Sequence, residues 1–398
     1  MIPEIEEILK ALTDGVNSSE EKISIEVKKP HIRFKREDLI RMIKLSAKII
    51  NLKSTQVVPK SITLIFNEDG YKMIANNDLE YLECRFDVLN ETDRLYDTIS
   101  LPIDLIKSIV NVMDEEIIIY KDTDGNYFIR LLLEGDLYLE LPTPEPSLLR
   151  KPINGMDPIN FKQDLGDPSN LVSPKHMEEA LKALIPIVEE EVVLDRKRIS
   201  FTPTRAYFTS NRFFMQYNLP LPSMKVSLRF ADVVRRIAQA YNNSGVMKFY
   251  RDKTIYHRII VECGDVLFTT MVTDIDQGNV PLMQYLDRVK TYKHIKVKTK
   301  DLERVVNIAY SLSYSNKEVR IDYNGELVLS IPMKNKTTKF KIPSKEITKT
   351  DVKGGVVLSA KNLKKLIGSF SSYDEVIMSI LDNCIILNSG NLVGVLRM

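Results

Sequence analysis

The chain has 398 residues, 44% of them hydrophobic and 28% charged, a balance that fits a folded protein of two or three domains and excludes a disordered one. No apolar run approaches the roughly 18–20 residues that span a bilayer, and the acidic N-terminus lacks the basic start and apolar core of a secretory signal, so a cytoplasmic, non-membrane protein is expected. With 56 basic and 54 acidic residues the net charge is +2, so any hold on nucleic acid requires positive charge gathered on one surface.

Residues 1–29 carry an amphipathic pattern (Ile5, Ile8, Leu9, Leu12) and then a polar stretch, and stand outside the pattern that follows. From His31 a unit recurs: a short leading strand, a helix, then two or three strands separated by turns. In the first, His31–Lys35 alternates as a strand and Glu37–Asn51 reads as a helix with Ile40, Ile43, Ala47 and Ile50 on its inner face. Ser61–Phe66, a turn at 67–70 and two more strands through Val88 complete it.

The second unit leads with a strand at Thr98 and a helix from Pro102, where Ile106, Ile109 and Val110 face inward. Its strands are Glu116–Tyr120, Tyr127–Leu133 and Asp136–Leu141. The third places a helix at Pro174–Val188 before strands at Arg198–Thr202, Arg205–Thr209 and Phe213–Tyr217. In the fourth, Lys225–Leu228 leads, Arg229–Tyr241 is the helix, and Val246–Arg251, Tyr256–Glu262 and Val266–Val272 are strands.

The fifth runs His294–Lys298, helix Lys300–Ser313, then Glu318–Tyr323, Leu327–Pro332 and Thr338–Ile342. The sixth runs Gly355–Ser359, helix Ala360–Phe370, then Glu375–Leu381, Asn383–Asn388 and Leu392–Arg397. Units of roughly 60 residues are too small to stand alone, so they should pair into three domains. Linkers rich in Pro, Gly and Asp at 142–170 and 274–286 set the expected limits: an extension at 1–29, then domains at 30–150, 171–275 and 287–398.

Each helix carries basic residues away from its apolar stripe: Arg41, Lys44 and Lys48; Lys107; Lys175 and Lys182; Arg229, Arg235 and Arg236; Lys300 and Arg304; Lys361, Lys364 and Lys365. Any one of these sets reads equally as an ordinary solvated helix face. Six helices turned to one concavity would sum to a potential that attracts phosphates without reading bases. Cys84, Cys263 and Cys384 lie far apart in strand-like stretches and read as buried free thiols. The four histidines are scattered and no phosphate-loop, dinucleotide, nucleophile-elbow or HExxH pattern occurs, so no catalysis, cofactor or metal is expected.

Three segments carry a resemblance. Ala75-Asn76-Asn77-Asp78-Leu79-Glu80 is similar to an A-T-D-L-E turn, Ser100 to Val110 (SLPIDLIKSIV) to V-P-A-K-x-L-x-x-I-V, and the terminal Leu392 to Met398 (LVGVLRM) to V-M-P-M-R-L, all of the bacterial sliding clamp, the DNA polymerase III beta subunit. The resemblance spans about His31 to Met398 and implies an α+β fold of three clamp-like domains, with helices on the inner face and antiparallel sheets on the outer face of a ring. It implies a processivity factor for DNA replication: a head-to-tail homodimer that encircles duplex DNA and meets the replicative polymerase and the clamp loader through linear peptides.

It further implies that Lys53 and the Arg196-Lys197-Arg198 hairpin touch DNA. A partner-peptide pocket would be lined by Thr209, Asn211, Arg212, Phe213, Pro281, Leu286, Cys384, Leu392 and Gly394. Gly394 stands where the family has Met, which is expected to remove an apolar gate, and deleting Val393–Met398 is expected to remove partner binding while leaving the dimer. At the ring seam Leu137 and Leu139 would face Tyr310 and Leu312. The rival reading is a non-enzymatic β-rich structural or assembly protein, which has no need of basic residues on every helix.

Overall fold

The computed structural model describes the chain except residues 1–30, 48, 51–60, 68–69, 78–79, 92–96, 104–105, 108–109, 111–112, 122–126, 134–137, 143–167, 194–195, 244, 253–257, 273–293, 314–317, 333–335, 348–353 and 382. The expected linkers, the extension at 1–29, Lys48, Lys53, Leu137, Pro281 and Leu286 therefore lie wholly or largely outside the described residues.

Six units follow one another. The first holds β1 (His31–Lys35), α1 (Arg36–Ser46), β2 (Ser61–Asn67), β3 (Gly70–Asn76), β4 (Glu80–Phe86) and an added β5 (Val88–Glu91). The second holds β6 (Asp97–Pro102), a helical segment on which Ile103 and Ile106 are buried, then β7 (Met113–Lys121), β8 (Tyr127–Leu133) and β9 (Tyr138–Pro142). The third holds β10 (Asn170–Val172), α2 (Pro174–Val188), β11 (Arg198–Phe201), β12 (Ala206–Thr209) and β13 (Phe213–Tyr217). The fourth holds β14 (Met224–Ser227), α3 (Leu228–Ala240), β15 (Met247–Asp252), β16 (Arg258–Cys263) and β17 (Val266–Met271).

The fifth holds β18 (His294–Lys298), α4 (Thr299–Leu312), β19 (Glu318–Tyr323), β20 (Leu327–Pro332), β21 (Thr337–Ile342) and a short β22 (Ser344–Glu346). The sixth holds β23 (Gly354–Ser359), α5 (Ala360–Gly368), β24 (Glu375–Ile380), β25 (Cys384–Ser389) and β26 (Leu392–Arg397).

Local chemistry explains the helix starts. Ser227 accepts the Phe230 amide at 3.1 Å to cap α3, Ser359 accepts the Asn362 amide at 3.4 Å to cap α5, and Pro174 opens α2 where its missing N–H costs nothing. Along α3, Phe230, Val233, Val234 and Ile237 are buried at helical spacing, so one stripe drives the helix onto its sheet. Strand β19 alternates exposed and buried in its first four residues, with Val319 and Ile321 inward.

The units are interlocked in twos. Leading strand β1 pairs with β7 while β6 pairs with β2; β10 pairs with β15 while β14 pairs with β11; β18 pairs with β24 while β23 pairs with β19. Each unit completes its neighbour's sheet, which is how modules too small for an independent core become three stable domains.

The domains are joined by their sheets. Strand β17 pairs antiparallel with β4, from Val266↔Cys84 to Thr270↔Glu80, giving an eight-stranded sheet across the first and second domains. Strand β13 pairs antiparallel with β26, from Phe213↔Leu396 to Tyr217↔Leu392, giving a nine-stranded sheet across the second and third. The five-stranded sheet of the first domain ends at β9 and the four-stranded sheet of the third ends at β21. Helices pack in pairs (α2 on α3, α4 on α5), and α1 on α3 and α2 on α5 carry the layer between domains. One contiguous apolar core lies between helices and sheets, and a second, small cluster lies on the other face of the nine-stranded sheet.

Two expectations need correction. Helix α1 ends at Ser46, not Asn51, and its buried stripe is Leu39, Met42, Ile43 and Ser46, while Ile40 and Ala47 are only half-buried. The larger side chains Leu39 and Met42 take the sheet side, and Ile40 turns toward α3. Strands β5, β10 and β22 were not predicted, because three- or four-residue strands owe their existence to the pairing partner rather than to a periodic pattern.

Candidate nucleic-acid interface and the clefts between domains

Where α1 meets α3, basic residues from the first and second domains converge. Arg36, Arg41, Lys44 and Arg236 line a cleft of about 700 Å³, with Glu37 its one acidic lining residue among those described. Arg236 donates to the Lys44 carbonyl at 3.1 Å, joining α3 to the last turn of α1. Arg41 is held more firmly: it bonds Asp38 at 2.9 Å, Asp265 at 2.6 Å and the Tyr241 hydroxyl at 3.2 Å. Tyr241 in turn donates to Asp265. Gly264, at φ +58°, makes this possible, because a Cβ there would stand 2.6 Å from the Tyr241 ring.

The remaining predicted basic positions divide into two groups. Arg235 and Arg236 pair with Asp232 at 2.9 and 3.4 Å, Lys361 pairs with Glu190 at 2.7 Å, Lys365 also pairs with Glu190, and Lys364 lies 4.8 Å over the Tyr310 ring. Lys44, Lys107, Lys300 and Arg304 are exposed and have no ion pair among the described residues. Lys197 and Arg198 are half-buried at the start of β11, whereas Arg196 is exposed and turns to a different cleft.

That second cleft, about 480 Å³, opens between the end of α2 and the start of α5, where the second and third domains meet. Ile187, Phe208 and Phe213 form its apolar floor, and Arg196, Asn211, Arg212 and Lys361 stand at its rim. Glu190 bridges Lys361 and Lys365 across it. Burial alone would raise the Glu190 carboxyl, but the hydrogen bonds from the two lysines outweigh it and hold the group below its ordinary value.

Of the predicted pocket residues, the structure brings Asn211, Arg212 and Phe213 together here and does not bring Cys384, Leu392 or Gly394. Thr209 ends β12 with its hydroxyl buried and unpartnered among the described residues. Leu392 is in the main core, and Cys384 faces the opposite side of the sheet with Tyr207, Phe214, Ile386 and Val395. Gly394 opens no gate: a Cβ there would lie 2.7 Å from Leu366, 3.1 Å from Met215 and 3.2 Å from Phe370, so neighbouring side chains already fill the space. All three cysteines are buried and free, and burial pushes the Cys84 and Cys384 thiols up to about 12 and Cys263 to about 11.

On α4, Ile308 and Tyr310 are 40% and 39% exposed, Tyr310 with Lys364 of α5 over its ring, and Leu312 packs half-buried against the main core. Leu139 lies in β9 opposite Leu131. Ile308 was not foreseen; an apolar residue on the polar side of a predicted helix was the available signal.

No family model matches the chain, and no curated protein matches its sequence. Solved structures do. The beta subunit of DNA polymerase III from Pseudomonas aeruginosa, determined bound to griselimycin, matches with a TM-score of 0.73 at 13% identity, covering 93% of this chain and 99% of that one. The chain has the sliding-clamp fold. The clamp of Thermotoga maritima matches at 0.71 with 12% identity, and that of Bartonella birtlesii at 0.71 with 15%, each covering 92% of this chain and 98% of the other. The strand ladders β4·β17 and β13·β26 join the three domains of this chain, and among the described residues no helix is long and apolar enough to cross a membrane.

Proposed function

We propose that the protein is a non-enzymatic DNA sliding clamp that closes as a head-to-tail homodimer around duplex DNA, with domains at 30–150, 171–275 and 287–398. One observation carries this reading. Six units offer six third strands; β4, β17, β13 and β26 pair at the two joints, and β9 and β21 are left at sheet edges. Repeating the same antiparallel joint between β9 of one copy and β21 of another uses both of these edges at once, and two copies close a ring in which every third strand is paired. Leu137 and Leu139 would then meet Ile308, Tyr310 and Leu312 across the seam.

Within such a ring the helix layer lines the hole. Exposed Lys44, Lys107, Lys300 and Arg304, with the basic cleft between α1 and α3, supply phosphate attraction without base contacts. Retention is topological, so the near-neutral net charge of +2 is no obstacle, and weak contacts let the ring slide. The cleft floored by Ile187, Phe208 and Phe213 is the site for linear peptides of a replicative polymerase and a clamp loader.

The test joins mass to topology. Light scattering should give twice the 45.7 kDa chain mass, and protein loaded on nicked circular DNA should stay bound until the circle is linearised. Ile308→Asp with Tyr310→Asp, both at exposed positions, should return the single-chain mass without loss of thermal stability and abolish retention on circles. A wild-type monomer at micromolar concentration, or equal retention on linear and circular DNA, would overturn the ring.

A further inference from the structure

One segment of the sequence stands outside the six units and has no part in the fold they build. Residues 1–30 hold seven acidic and four basic residues, against 47 acidic and 52 basic in the rest, so an extension of net charge −3 is joined to a body of net charge +5. Its first half concentrates the pattern. Ile5, Ile8, Leu9 and Leu12 form an apolar stripe at helical spacing, and at about 100° per residue Glu4 and Glu6 fall on either side of it. A stripe of that kind is complemented by an apolar groove flanked by cations.

The cleft between α1 and α3 has that character. Ile40 and Ala240 stand in its wall among Arg36, Arg41, Lys44 and Arg236, with Glu37 the one acid among the described lining residues. Arg41 is engaged by Asp38 and Asp265 and Arg236 by Asp232, but Lys44 is exposed and has no ion pair among the described residues. A second apolar groove, on the outer face of the nine-stranded sheet, is lined by Ile347, Ile377 and Val393 with Gln216, His294, Ser379 and Asn388, and holds no Lys or Arg among the described residues. Charge therefore selects the first. The tether is also short: β1 spans five residues and leads straight into Arg36 at the start of α1. Five residues of strand cover about 17 Å. Residues 13–30 can span up to roughly 60 Å, well beyond that distance.

We propose that residues 4–12 dock in the cleft between α1 and α3, seating Ile5, Ile8 and Leu9 on Ile40 and Ala240 and setting Glu4 and Glu6 against Lys44 and Arg236. The chain thus carries its own stand-in for DNA phosphates. Resting on the reading of the helix layer as the face that meets DNA, this contact adds a regulator of that face. The docked segment covers the cleft and cancels its field, so loose contact with passing DNA is disfavoured. Encircled DNA, with dense charge and a high local concentration, displaces it.

Ile8→Asp with Leu9→Asp in the full-length protein separates docking from simple charge. The pair breaks the apolar stripe and adds two negative charges, so charge alone would weaken DNA binding, whereas loss of docking should tighten it. Anisotropy of a short fluorescein-labelled linear duplex at low salt should show the variant binding about fivefold tighter, the range of a few exposed ion pairs released. Carbodiimide coupling of the wild type, mapped by mass spectrometry, should join Glu4, Glu6 or Glu7 to Lys44, and excess duplex should suppress that link. Weaker or unchanged binding by the variant would overturn the inference, as would links from the segment only to lysines outside the cleft. Retention on circular DNA is read in parallel. A variant retained on circles like the wild type, yet no tighter on the short duplex, would leave the ring and remove the docked segment. A Lys44 link in a chain never retained on circles would sink the ring and, with it, the competition with DNA.

Discussion

The two joints inside this chain share a backbone device and differ in almost everything else. Between the first and second domains, β4 and β17 form the ladder and charged groups flank it: Arg41 sits between Asp38 and Asp265, Tyr241 holds Asp265, and Arg229 reaches Glu80 at 3.3 Å. Between the second and third, β13 and β26 form the ladder and apolar side chains seal both of its faces. Met215, Leu366 and Phe370 close over Gly394 on the helix side, and Tyr207, Phe214, Ile386 and Val395 cluster on the other. Main-chain hydrogen bonding thus fixes the angle at each joint, and the side chains are free to specialise. The ionic joint adjoins a cleft lined by Arg36, Arg41, Lys44 and Arg236; the apolar joint adjoins a cleft floored by Ile187, Phe208 and Phe213.

The harshest way to break the comparison is to remove half of the apolar joint. Strand β26 lies between β13 and β25 in the nine-stranded sheet, so deleting Val393–Met398 takes out an interior strand with Val395 and Leu396, both fully buried. The truncated chain should fail to give a cooperative thermal transition. The interior place of β26 argues against the expectation that the deletion would spare the dimer. An intact dimer after truncation would show that the ladder is not what holds the second and third domains together.

Point changes test the two chemistries against each other. Gly394→Met forces a side chain between Leu366, Met215 and Phe370 and should cost about 3 kcal/mol by overpacking. Arg41→Ala should cost about 1–2 kcal/mol, since its ion pairs are roughly 30% exposed and partly screened. Urea unfolding at low and high salt separates them: 0.5 M NaCl should shrink the Arg41 effect and leave the Gly394 effect unchanged. Equal salt dependence would erase the distinction between the joints.

Much of this fold is legible in the sequence where turn residues bracket strong alternation. The bounds of β8, α2, β13, β18, β19, β20 and β26 coincide with those predicted, since each has both a periodic core face and a clear stop. The phase of α1 was not legible, because Ile40, Ile43, Ala47 and Ile50 form as good a stripe on paper as Leu39, Met42 and Ile43, and only the facing sheet and α3 choose between them. The lining of the cleft between the second and third domains was readable in part. Asn211, Arg212 and Phe213 follow from local resemblance, but the role of Arg41 depends on Asp265, 224 residues away, and the surroundings of Gly394 on Met215, Leu366 and Phe370. Such contacts leave no local pattern.

The smallest effect gives the finest discrimination, because the two joints should answer acid with opposite signs. Glu190, at the apolar joint, has its carboxyl held below its usual value by Lys361 and Lys365, so its stabilisation is present above the unfolded value and disappears as pH falls through the folded one. Asp38, at the ionic joint, is raised, mainly by burial and further by Asp265 and Asp87 against the pull of Arg41 and Lys35. Its contribution is present below the unfolded value and is lost as pH rises through the folded one. Stability from urea unfolding between pH 3 and 6 should therefore show Glu190→Gln lowering the slope of stability against pH and Asp38→Asn raising it, each by less than about 1 kcal/mol across the range. Slopes that shift in the same direction would mean that the lysines do not outweigh burial at Glu190, or that burial does not outweigh Arg41 at Asp38, and the opposed directions of the two carboxylates would fall.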